Sequence, residues 1–116
     1  LPESYMGNFT VWPRSHLAFS EYFKKNGPET LLQGMPTIDL PEGPLQITGK
    51  AGDICIAHHL TMHTAAPNAS PYIRYAAIFR VTHKDAKVNG TEAMMDPWRE
   101  WPGIQELFTP PVPAAT

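Results

Sequence analysis

GDICIAHHLTMHTAAPNASPYIRYAAIFR, residues 52–80, reads as two strand-forming runs joined by a polar loop. The first, 53–60, follows a Gly52-Asp53 turn and carries the branched residues Ile54 and Ile56, the composition of a strand start. The second, 72–82, is rich in β-formers. Its odd positions, Ile73, Tyr75, Ala77, Phe79 and Val81, are all apolar, whereas its even positions mix Arg74 and Arg80 with apolar residues. A period of two puts these sets on opposite faces of a sheet. One face is then packed, and the other lines a cavity with a few polar groups. Between the runs, residues 65–71 are a turn-forming loop, with Pro67 and Pro71 fixing φ and Asn68 and Ser70 able to bond nearby backbone.

Two side chains in this stretch carry chemistry. His63 stands at the near end of the loop and Arg74 on the second run. A neutral imidazole is the commonest metal ligand. A guanidinium fork matches a carboxylate with two parallel hydrogen bonds. Facing one cavity, the pair suits a bidentate acid that reaches a metal at one end and Arg74 at the other. Taken alone, His63 is more often an ordinary hydrogen-bonded histidine; for Arg74 the alternative is a simple ion pair with Asp53 or Glu92.

The pattern Gly52-Asp53 … His58 … His63-Thr64 … Pro67-Asn68-Ala69-Ser70 … Arg74 resembles the C-terminal signature of the phytanoyl-CoA dioxygenase family. The upstream piece, residues 7–17 (GNFTVWPRSHL), resembles the same family's strand and Pro-Gly-Ser-His turn. The resemblance implies an iron(II)- and 2-oxoglutarate-dependent oxygenase on a double-stranded β-helix. It makes residues 1–108 the C-terminal part of one mainly β, jelly-roll domain with a few short helices. It assigns His63 as the distal iron ligand, Arg74 as the clamp on the far carboxylate of 2-oxoglutarate, and Thr64 as an assisting hydroxyl. It also implies dioxygen as co-substrate, ascorbate as an accessory reductant, and hydroxylation of a small-molecule or acyl substrate.

Two departures bear on this reading. Arg14 stands where the family usually has glycine. The family's iron site also takes a His-x-Asp/Glu pair upstream of both pieces, since such sites use two histidines and one carboxylate. No such pair precedes His63. The expectation is therefore a C-terminal fragment, inactive without the N-terminal half of its own domain. The alternative is a non-catalytic β-sandwich binding module; a cupin-like small-acid binder would need more inward-facing histidines. His83-Lys84-Asp85 is a His-x-Asp, but it follows Arg74 and reads as a solvated charged turn. His59 and His63 have the spacing of a helical zinc pair, yet Leu60 stands where a metalloprotease has glutamate. His58 is given no catalytic role.

The remaining sequence is consistent with one domain. Its 116 residues are 42% hydrophobic with a formal charge of −2, and no basic stripe invites nucleic acid. No apolar run is long enough to span a bilayer. The single Cys55 allows no internal disulfide, which favours an intracellular setting, the compartment being unassigned. The sequons at Asn8, Asn68 and Asn89 read as chance. Further elements are a strand over 9–12, a helix over 16–25 with Ser15 as N-cap, a short strand within 44–48, and helices over 94–101 and 104–108. Ser15 and His16 organise the turn before the first helix. Trp98, Trp101 and Leu107 are expected to pack on the sheet, and 109–116 to be a disordered tail. Without the N-terminal half, the apolar face of 72–82 would be exposed and favour association.

Overall fold

The computed structural model describes residues 2–108; the tail expected over 109–116 lies outside them. The elements are β1 (Phe9–Val11), α1 (Ser15–Asn26), a 3-10 helix (Pro28–Gln33), β2 (Leu45–Gln46), β3 (His63–Ala65), α2 (Ala86–Asn89), α3 (Glu92–Met95) and α4 (Pro102–Phe108). The described residues form one three-stranded antiparallel sheet of order β2-β1-β3. This corrects the expectation of a mainly β double-stranded β-helix: the strands are two or three residues long, and helix exceeds strand.

The two runs that suggested the larger sheet explain the difference. Residues 53–60 and 72–82 form no strand. The expected packed face is open, with Tyr75 86% and Phe79 84% exposed. β-Propensity records a fit to a half-buried pleated surface, and no neighbouring strand supplies that surface to these runs among the described residues. The Cα radius of gyration, 17.4 Å, exceeds the about 13 Å of a compact domain of about 100 residues. The third strand, β3, forms where the loop was expected to begin.

The β1–β3 pairing extends beyond both strands. Val11 faces His63, Thr10 faces Thr64 and Phe9 faces Ala65. The same register continues through a bridge between Met6 and Asn68, with Trp12 N–H donating to the Met62 carbonyl at one end and Ala69 N–H to the Tyr5 carbonyl at the other. Asn8 lies beneath this ladder, 0% exposed. Its amide donates to the Glu3 and Ile47 carbonyls and its oxygen accepts from Met6 N–H. A buried amide so engaged is satisfied, and it leaves no room for a glycan at that sequon.

α1 supplies most of the core. Phe19 and Phe23, one turn apart on one face, are buried and stacked with centroids 6.4 Å apart. Ala93 of α3, which packs on α1, is also buried, and Ser20 Oγ donates to the Met95 carbonyl at 2.8 Å. Gly27, at φ 87, ends α1 by donating to the Phe23 carbonyl. Ser15 is not the N-cap. It is the first helical residue, fully buried, and its Oγ accepts from Met62 N–H at 2.8 Å. The capping position falls to Arg14 in the left-handed region, at φ 60, where a glycine would carry no penalty.

The C-terminal helices differ from the expected pair. α3 ends at Met95, turns follow, and Pro102 opens α4, consistent with proline's preference for the first helical position. Leu107 is exposed and packs on no sheet. Trp98 and Trp101 pack against histidine rings instead.

Candidate functional site

His63 opens β3 opposite Val11, and its side chain is exposed. Its ring lies 5.5 Å, centroid to centroid, from that of Phe9, diagonally across the ladder. Nδ1 is 2.8 Å from the Thr61 carbonyl oxygen. A carbonyl can only accept, so Nδ1 carries the hydrogen. In the neutral ring the lone pair then sits on Nε2. This is the arrangement by which a backbone carbonyl fixes the tautomer of a metal-binding histidine.

Arg74 is half-buried in the second run. Its stem lies over Gly7: a Cβ built on that glycine would meet Arg74 Cβ and Cδ at 3.7 Å. Gly7 is buried at φ +77. Among the described residues no carboxylate pairs with Arg74. Asp53 instead accepts from Lys50 N–H, and Glu92 pairs with Arg99 at 2.7 Å. His63 and Arg74 lie against different residues of the segment that leads into and forms β1. The His63 ring neighbours that of Phe9, and the Arg74 stem lies over Gly7, two residues earlier in the chain.

Thr64 does not join them. Successive strand residues point to opposite faces, so Thr64 lies across from Thr10, on the face away from His63. Asn68 and Ser70 do form the expected local turn, with Asn68 Oδ1 accepting from both Ser70 N–H and Ser70 Oγ. His83 Nδ1 accepts from Asp85 N–H in the exposed turn before α2, so His83-Lys84-Asp85 serves local structure.

His58 contrasts with His63. Its Nε2 is 2.6 Å from the Pro97 carbonyl and its Nδ1 accepts from Leu60 N–H at 3.1 Å. Both nitrogens are used by backbone, which leaves none for a metal. Burial, first, holds His58 below the ordinary histidine range, against the pull of the Pro97 hydrogen bond and the Glu100 charge. Burial, then the neighbouring His58, lowers His16 and His59 as well. Their association was not legible beforehand, because His16 is separated from the others by more than forty positions of chain. The roles of Gly7 and of the Thr61 carbonyl were also missed; a glycine just ahead of a strand is the one signal that marks a close approach.

No family model, curated protein or solved structure matches the chain. Among the described residues no group of three His, Cys, Asp or Glu side chains could hold a metal ion, so His63 by itself does not make an iron site. No helix among them is long and apolar enough to cross a membrane.

Proposed function

We propose that this chain contributes one ligand and one clamp to an iron(II)- and 2-oxoglutarate-dependent dioxygenase. His63 is the ligand and Arg74 the clamp for the far carboxylate of 2-oxoglutarate. The observation that carries the reading is the hydrogen bond from His63 Nδ1 to the Thr61 carbonyl, which leaves Nε2 of an exposed ring as the donor atom. Arg74 supports it as a half-buried residue whose guanidinium has no carboxylate partner among the described residues. The other iron ligands must come from sequence outside those residues. The substrate is a small molecule or acyl group. Thr64 faces away from His63 and stands apart from that pair.

Binding of 2-oxoglutarate, followed by titration calorimetry, tests the clamp. Arg74→Lys keeps the charge but loses the fork. Loss of one charge-assisted hydrogen bond is about 1.5–3 kcal/mol, so affinity should fall roughly tenfold to a hundredfold. Equal affinity in wild type and Arg74→Lys would remove Arg74 from the site.

A further inference from the structure

Away from His63, three histidines and two tryptophans converge from three parts of the chain. His16 comes from the first turn of α1, His58 and His59 from the segment before β3, and Trp98 and Trp101 from the segment between α3 and α4. The His58 ring lies 4.3 Å from His59, 5.3 Å from His16, 5.7 Å from Trp98 and 6.0 Å from Trp101. His16 meets Trp98 edge-on at 5.2 Å.

His58 is the joint between these parts. Nε2–H donates to Pro97, next to Trp98, while Nδ1 accepts from Leu60 N–H. The His58 carbonyl also accepts from Thr61 N–H at 2.9 Å, closing a turn over 58–61. That turn presents the Thr61 carbonyl to His63. The ring can hold both of its bonds only as a neutral imidazole, because an imidazolium has no acceptor nitrogen for Leu60 N–H.

We propose that His16, His58 and His59 form an acid-released latch. With His58 neutral, the latch ties the 58–61 turn, and through it the start of β3, to α1 and the Trp98 segment. With His58 protonated, donor faces donor at Leu60, a cation is placed against two more imidazoles, and the turn comes loose.

The charges around the cluster agree with release. Glu100 faces both His58 and His59 and opposes it, but its carboxylate also accepts from Asn89 at 3.0 Å. In the same segment Asp96 accepts from Trp98 N–H, and Arg99 is held by Asn89 and Glu92. Beside His16, Arg14 pairs with Glu42 and Glu21 with Lys24. Burial lowers the proton affinity of all three rings, so the latch is closed at neutral pH.

The test is a nitrogen–proton NMR titration of the chain over the range, about pH 8 to about pH 5, in which histidines change charge. The Leu60 amide and the Trp98 and Trp101 indole signals should shift together, with one midpoint below the ordinary histidine value of about 6.5. In His58→Gln, which keeps an N–H donor but does not titrate, that transition should vanish. Leu60 and indole signals that stay still while His58 titrates, or a transition that persists in His58→Gln, would overturn the latch. Should the variant not fold, the wild-type ring nitrogens decide. Protonated Nε2 with bare Nδ1 at neutral pH is expected for His58, and the opposite tautomer overturns it.

Discussion

The Thr61 carbonyl accepts the Nδ1 hydrogen of His63 across 2.8 Å, from two residues earlier in the same chain. That one contact decides which nitrogen of His63 keeps its lone pair. Thr61 is in turn held by its own N–H to the His58 carbonyl, and the next residue, Met62, by Ser15. The orientation of His63 therefore depends on a short series of hydrogen bonds that reaches α1 through Ser15 Oγ and the C-terminal segment through the His58 ring.

Ser15→Ala tests the α1 end of this series. Its hydroxyl accepts the Met62 N–H one residue before His63. Its loss should destabilise the protein by about 1 kcal/mol, read as a drop of a few degrees in thermal unfolding. An unchanged melting temperature would show that Met62 N–H is satisfied equally well by water.

Arg14→Gly should stabilise. Arg14 holds φ 60, a conformation costing an L residue about 1–2 kcal/mol. Glycine relieves this, less the added freedom of the unfolded chain, about 0.4–1 kcal/mol. The exposed pair with Glu42 that is given up is worth little. A net gain of up to about 1 kcal/mol in denaturant unfolding is expected, within the range set by those two costs. Destabilisation would mean that the Arg14–Glu42 contact outweighs the strain.

Stability should fall as the solution is made acidic. His16, His58 and His59 all bind protons less readily folded than free, mainly because they are partly buried. Below the unfolded value of about 6.5, the unfolded chain takes up more protons than the folded one, and folding weakens as pH drops. Above it this contribution is fully present. Melting curves across that window should show a smaller loss for His58→Gln than for wild type; an equal loss would place the acid sensitivity on other groups.

The open run 72–82 should drive association. Ile73, Tyr75, Phe79 and Val81 are exposed along an unpaired segment, and contiguous exposed apolar side chains recruit one another. Light scattering should show growth with concentration, reduced in a Tyr75→Lys, Phe79→Lys variant. A wild type that stays monomeric at high concentration would contradict this.

The elements legible in the sequence are those whose signals are local. β1 and α1 fall within a residue or two of expectation because Pro13 and Gly27 bound them and Phe19 and Phe23 recur one turn apart. β2 lies inside the expected short run. The large sheet was misread because alternation in 72–82 states what a strand would bury, not whether a partner exists to bury it. Even β3 was hidden in a loop-like composition, since three residues paired with β1 need no propensity of their own. In the proposed site, residue types suggested His63 and Arg74, but what lies beside them is a backbone carbonyl and a glycine. Neither leaves a side-chain signature. Thr64 failed to join His63 for the simplest reason, adjacency in a strand.

The most direct test of His63 and Arg74 is succinate formation from 2-oxoglutarate with added iron(II), measured on the gene product that carries this chain. Turnover is expected in wild type, none in His63→Ala, and in Arg74→Ala turnover recovered only at high 2-oxoglutarate. Turnover indifferent to His63 would contradict its role as the iron ligand.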